Sequence, residues 1–202
     1  FPHQLADLCQ AAGARLFHIS TDCVFSGHKG AYTEADISDA YDLYGRTKFL
    51  GEVNRPGCLT LRTSIIGRDF VKNDALLEWF LSQRGGKAQG YTRAIYSGFP
   101  TQTLARIIGD LIAQYPELSG LYQVASAPIS KYELLVKIRD AMKLDIALEP
   151  QTEFFCDRSL SAARFVAATH YQIPTWDSMI AELANDPTPY AEWKNAHASA
   201  RR

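Results

Sequence analysis

The chain has 202 residues, 47% of them hydrophobic and 21% charged, an ordinary globular composition with enough apolar side chain for a sizeable core in one domain or one and a part. Its 21 Lys and Arg offset 22 Asp and Glu to a net charge of -1 without a long block of either sign, which argues against nucleic acid and anionic membrane as partners. No apolar run approaches the roughly 20 residues that span a bilayer, and no signal-peptide layout opens the chain.

From the N-terminus, Leu5, Leu8, Cys9 and Ala12 recur at helical spacing and Gly13 suits a left-handed cap, so a helix is expected before a buried strand from Arg15 to Ser20. Phe1 falls in what reads as mid-architecture, and the expectation is of a truncated chain. A loop over 21–42 leads to a helix from about Leu43 to Val53 and a β-rich run from Cys58 to Thr63, giving a β, α, β order. Farther on come a helix over 75–83, a turn at Gly85-Gly86 and a helix over 101–114 stopped by Tyr115-Pro116. A strand over 120–125 follows, then a helix from Ser130 to Lys143 with Glu133 at the capping-box position, and a short strand over 146–148. Pro187-Thr188-Pro189 and the Ala/Arg-rich end suggest a loosely held tail from Asp186.

Cys9, Cys23, Cys58 and Cys156 form no CxxC pair, so neither a zinc site nor a redox dithiol is expected, and a reduced, cytoplasmic setting fits. His3, His18, His28, His170 and His197 show no metal-ligand spacing.

Chemistry concentrates at Tyr44-Gly45-Arg46-Thr47-Lys48, downstream of a strand ending in Ser20-Thr21-Asp22. Residues four apart lie on one helix face, so Lys48 can stand over Tyr44. A phenol titrating near ~10 in water loses its proton more readily beside an ammonium. The pattern is weak alone, since ten tyrosines are present and Tyr190 and Lys194 repeat it in the tail, where it reads as coincidence. Tyr44 and Lys48 read equally well as an ordinary exposed pair. What favours a site is Thr21, a hydroxyl at the carboxyl end of a strand, where open α/β sheets place ligand-binding groups. Asp22 either orients Thr21, accepts from a sugar hydroxyl, or merely closes an Asx turn. Gly45 costs a helix about 1 kcal/mol relative to alanine, which suggests a close approach by backbone, strand or cofactor.

The ordered set Ser20-Thr21-Asp22-Cys23-Val24-Phe25-Ser26-Gly27, Tyr32-Thr33-Glu34, Tyr44 to Lys48, Gly51-Glu52, Leu61-Arg62-Thr63-Ser64, Gly120 to Val124 and Ile129 to Tyr132 resembles the extended short-chain dehydrogenases/reductases, and among them the dTDP-4-dehydrorhamnose reductases, over roughly residues 1–185. The resemblance implies an α/β fold: a partial Rossmann-type parallel sheet lacking its first strands, with a small C-terminal substrate-binding lobe. Residues 1–68 would be the later part of the NAD(P)-binding domain, 69–185 mainly the substrate lobe with some return to the sheet, and 186–202 a tail.

It further implies an enzyme using NADPH or NADH to reduce the 4-keto group of a nucleotide-linked deoxysugar. Thr21 would polarise the ketone, Tyr44 protonate it, and Lys48 lower the tyrosine pKa and hold the nicotinamide ribose. Ser20 and Thr63 join Tyr44 and Lys48 as expected cofactor contacts. Asp22, Ser64, Ile65 and Arg158 join Thr21 as expected substrate contacts, Arg158 through its bidentate fork on phosphate. No metal is implied, and a homodimer is permitted.

Three departures accompany the resemblance. No glycine-rich dinucleotide turn precedes Ser20, so the chain as given is expected to bind the dinucleotide poorly and to be inactive alone, and the residues that distinguish NADH from NADPH are not included. Cys23 stands where the family commonly has tyrosine, and Ile65 where the reductases usually have tryptophan. Epimerases and dehydratases of the same superfamily are the enzymatic alternatives. A non-catalytic regulatory subunit, as in methionine adenosyltransferase, is the alternative from another class.

Overall fold

The computed structural model describes residues 1–69, 75–190 and 192–194. α1 (Pro2–Ala11) carries proline at its start, where no intrahelical N–H is forfeited, and packs Ala6 with Leu16, Val53 and Cys58 into a small apolar cluster. Gly13, at φ +65°, takes the left-handed turn that sends the chain into β1 (Leu16–Thr21). After a loop and α2 (Leu43–Leu50) comes β2 (Cys58–Thr63), every residue of which is buried. Much later, β6 (Gly120–Gln123) returns to it, forming a parallel sheet in the order β1-β2-β6 with Thr21 beside Thr63 and Arg62 beside Gln123. The fold is thus α/β around a parallel sheet, as expected.

That sheet contains an ionic network. Arg62 holds both carboxylate oxygens of Glu52 at 2.8 and 2.7 Å, and the Ser20 hydroxyl donates to the same carboxylate at 2.7 Å. Both charged side chains are buried. Breaking such a pair leaves an uncompensated charge out of water, so Glu52 is tied firmly to the sheet just after α2.

Between the main strands lie β3 (Ile65–Ile66), α3 (Leu76–Leu81), β5 (Phe99–Pro100), which pairs with β3, and α4 (Thr101–Gln114). A second sheet has the order β7-β4-β8, from β7 (Ile129–Ser130), β4 (Gly86–Tyr96) and β8 (Ile146–Asp157). α5 (Lys131–Ala141) lies on β4 so closely that a β-carbon on Gly90 would sit 2.9 Å from the Tyr132 Cα. Its start is the expected capping box between Ser130 and Glu133. α6 (Ala163–Thr169) and α7 (Trp176–Ala184) complete the fold, α7 anchored by the Trp176 indole donating to the Ala127 carbonyl at 2.7 Å. One large core joins both sheets through Leu61, Phe80, Phe99, Ile107, Leu134 and Phe165.

Several expectations need correction. α2 ends at Leu50, not Val53, because Glu52 turns inward to Arg62. The turn at Gly85-Gly86 opens an eleven-residue strand, and the short strand over 146–148 extends to Asp157. These two strands pair in parallel along nearly their whole length, Gly90 opposite Pro150. Proline is tolerated there because β8 is an edge strand of its sheet. The described residues 186–190 and 192–194 are held rather than loose: Lys194 and Arg68 reach Glu78 at 2.6 and 2.5 Å, and the Arg68 guanidinium lies 4.7 Å from the Tyr190 ring centre. The remainder of the expected tail, residue 191 and 195–202, lies outside the described residues. Among the described residues no helix is long and apolar enough to cross a membrane.

Candidate active site

Gly45 decides where α2 sits. A β-carbon there would stand 2.2 Å from the Cys23 carbonyl oxygen and 2.6 Å from the Ala40 Cβ, so only glycine lets the helix close onto the short 3-10 turn Asp22–Val24 that follows β1. The Asp42 carboxylate caps α2 by accepting from the Gly45 N–H at 2.7 Å. Tyr44 and Lys48 are thereby held beside the end of β1, and the Lys48 ammonium donates to the Ile19 carbonyl at 2.6 Å. Tyr44 is 56% exposed.

Thr21 is buried at the carboxyl end of β1. Its hydroxyl donates to the Asp22 carboxylate at 3.1 Å and accepts from the Cys23 N–H at 3.1 Å. Burial pushes the Asp22 carboxyl above its ordinary range, opposed by the Thr21 hydrogen bond and the nearby Arg158 guanidinium. Burial and the Asp22 charge also push the Cys23 thiol up, which keeps it protonated.

On the far side of that turn opens a cleft of about 400 Å³, within the range of small-molecule sites. Asp22, Ser64, Ile65 and Arg158, four of the residues expected to touch substrate, all line it. The loop from Gly27 to Tyr32 is stitched to the end of β8, with the Asp157 N–H on the Gly27 carbonyl at 2.7 Å and the Tyr32 N–H on the Ser159 carbonyl at 2.9 Å, and this aims Arg158 at the cleft. Gly98 packs behind two lining residues, since a β-carbon there would meet the Ser64 carbonyl at 2.2 Å and the Tyr96 hydroxyl at 2.3 Å.

The structure does not bring every expected residue together. Thr21, Tyr44 and Lys48 lie beside the cleft at the β1 and α2 junction, outside its lining. Ser20 turns its hydroxyl into the Glu52 network, and Thr63 is buried in β2. Conversely, Tyr41, Tyr96, Lys131, Phe154 and Phe155 line the cleft without having been singled out. Phe154 and Phe155 are 48% and 45% exposed, and two adjacent aromatics just before Asp157-Arg158-Ser159 were the one local signal available. Lys131 falls within the Ile129 to Tyr132 stretch of the resemblance, which gave it no role.

Comparison with known proteins finds relatives of the chain. The profile of the RmlD substrate binding domain matches residues 1–186. The chain is 31% identical over 165 residues to methionine adenosyltransferase 2 subunit beta of Danio rerio, spanning 75% of this chain and 51% of that protein. It is 30% identical over 155 residues to dTDP-4-dehydrorhamnose reductase of Aggregatibacter actinomycetemcomitans, spanning 72% and 53%. The chain therefore spans about half the length of the curated relatives it matches. Among solved structures, dTDP-4-dehydrorhamnose reductase of Bacillus anthracis in complex with NADP superposes with a TM-score of 0.75 at 22% identity, covering 90% of this chain and 69% of that one, a likeness of fold. A hypothetical dTDP-4-dehydrorhamnose reductase from Sulfolobus tokodaii gives 0.68 at 27% identity, covering 81% and 61%.

Proposed function

The chain belongs to the RmlD substrate binding domain family, and from that premise we propose that it forms the catalytic and substrate-binding part of an NAD(P)H-dependent reductase. Its substrate is the 4-keto group of a nucleotide-linked deoxysugar, in a cytoplasmic route of carbohydrate biosynthesis. The observation that carries this reading is the seating of α2 on the turn after β1, which holds Tyr44, Lys48 and Thr21 at one junction beside the cleft. On this reading residues 1–68 carry the catalytic groups, and 69–185 supply most of the substrate lobe.

The residues present fit a nicotinamide and its ribose: the Tyr44 side chain is exposed, and Lys48 uses one N–H on the Ile19 carbonyl and keeps two donors. When bound, the reduced nicotinamide supplies the hydride. The chain's own groups handle the oxygen and the proton. Tyr44 gives its phenolic proton to the ketone oxygen, and Lys48 stabilises the phenolate left behind. Thr21 donates to the same oxygen. At rest the Thr21 hydroxyl donates to the Asp22 carboxylate, and rotation about its C–O bond turns that proton outward to the ketone oxygen. Ser64 and Ile65 flank the sugar, and Arg158 reaches the diphosphate.

The test is reduction of a dTDP-4-keto-6-deoxy sugar by the protein expressed from its full reading frame, followed by loss of nicotinamide absorbance. Tyr44→Phe is expected to cut turnover by on the order of 100-fold or more with melting unchanged; wild-type turnover by that variant would end the proposal. The 31% identity to a methionine adenosyltransferase subunit favours one second reading, a non-catalytic regulatory subunit. A stoichiometric enzyme partner retained on purification, with no keto sugar turned over, would establish that instead.

A further inference from the structure

α2 has little apolar contact to keep it in place. Of its eight residues only Gly45 is buried, and Leu43, Phe49 and Leu50 are all exposed. A helix this short is not stable on its own in water, so its position depends on what fastens it to the sheet. Gly45 seats one end against the Cys23 carbonyl, and Lys48 reaches the Ile19 carbonyl from the middle. The far end is fastened through Glu52, whose N–H donates to the Phe49 carbonyl at 3.0 Å and whose carboxylate accepts three hydrogen bonds from Ser20 and Arg62.

This fastening lies directly behind the candidate active site. Ser20, Arg62 and Gln123 are register neighbours across β1-β2-β6, so their side chains form a row on one face of the sheet. Ser20 comes immediately before Thr21, and Glu52 comes four residues after Lys48.

Stability alone does not account for the row. Both charged side chains are almost wholly out of water, at 3% and 7% exposure. Arg62 Nη1 and both polar atoms of the Gln123 amide are buried without a hydrogen-bond partner among the described residues. The Arg62 guanidinium is covered by the Phe25 ring at 5.1 Å. Breaking such a pair is costly, but replacing it whole by apolar side chains of similar volume is often neutral or stabilising. What the pair has and such side chains lack is a fixed, bidentate geometry.

We propose that Ser20 and Arg62, acting through Glu52, are positioning residues that hold α2 against β1 and so set Tyr44 and Lys48 relative to Thr21. Ser20 then serves the site from behind and does not touch the cofactor. The hold on α2 follows from the packing; its consequence for turnover rests on the reductase reading. A helix that pivots on its Gly45 seat carries Lys48 off the Ile19 carbonyl, and a misplacement of about 1 Å can cost a reaction about 100-fold.

Variants of the protein expressed from its full reading frame test this by melting, by amide hydrogen exchange over residues 43–50 and by steady-state kinetics. The apolar triple Ser20→Ala, Glu52→Met, Arg62→Met is expected to melt near wild type. Exchange in α2 should quicken by about ten-fold or more, and kcat should fall by about ten- to a hundred-fold. Ser20→Ala, which keeps the ion pair, should shift both by roughly a few-fold without changing the KM for the nicotinamide, and Ser20→Thr, which keeps the hydroxyl, should restore both. Should the triple melt well below wild type, Ser20→Ala alone decides. Unchanged exchange in α2 overturns the proposal, as does a raised nicotinamide KM in Ser20→Ala with α2 unaltered, the mark of a cofactor contact. Faster exchange with wild-type turnover overturns it as well. If the wild type reduces no keto sugar and exchange in α2 still quickens in the variants, the reductase reading is retired and the hold on α2 stands.

Discussion

Gly45 rests against the Cys23 carbonyl, with room for no side chain between them: a β-carbon would come within 2.2 Å of that oxygen. Through this one contact a helix carrying a phenol and an ammonium is held against the strand end that carries a hydroxyl. Position, more than the identity of the three polar groups, makes the junction a candidate for chemistry.

Replacing Gly45 by alanine is therefore expected to harm the protein although alanine favours a helix by about 1 kcal/mol. The contact can be relieved only if α2 moves off the turn, as overpacking of this kind forces backbone shifts costing about 1–3 kcal/mol. A lower melting temperature together with loss of turnover is the expected pair of results. A variant that melts at or above wild type with full activity would show that α2 has no need of this seat.

Asp22→Asn should stabilise the protein in a pH-dependent way. The folded carboxyl has its pKa raised above the ordinary 3.8, chiefly by burial. Its contribution to stability is complete below that value and is lost as pH rises through the folded pKa. Asparagine keeps an acceptor for Thr21 without the charge, so its advantage in thermal melts should be small near pH ~4 and grow toward pH ~7. An advantage that shrinks over that interval would contradict the assignment.

Glu78 should behave in the opposite sense. Burial raises its pKa, but the hydrogen bonds from Lys194 and Arg68 and from the Asp69 N–H more than offset this and leave it below the ordinary 4.5. The stability it contributes is present above that value and lost as pH falls through the folded pKa. Glu78→Gln is expected to cost about 1–3 kcal/mol at neutral pH in denaturant unfolding, with the gap to wild type closing below pH ~4.5. A gap of constant size across that range would mean that charge is not what joins Lys194 to α3.

What could be read from the sequence was local. Tyr44 and Lys48 share a face because a helix repeats every 3.6 residues, and α4, the capping box at Ser130 and Glu133, and the strand ending at Thr21 each announce themselves within a few positions. β4 and β8 do not, because Gly86, Lys87, Gly90 and Pro150 have little strand preference of their own and are held in strands by pairing across about sixty residues. Lys131 is unremarkable until α5 brings it into the lining of the same cleft as Arg158.

The sequence by itself determined the α/β class, the family and the order in which a hydroxyl, a phenol and an ammonium arrive, since these depend on side-chain type and on spacings within one helix or strand. Only the tertiary structure decided which residues line the cleft, and it left those three groups outside the lining. It committed Ser20 to Glu52, left Thr63 inside the sheet, and drew Lys131 and Phe154 into that lining. The physical reason is that burial and close packing between distant segments, which set a side chain's environment, are properties of the folded core as a whole and of no stretch of chain within it.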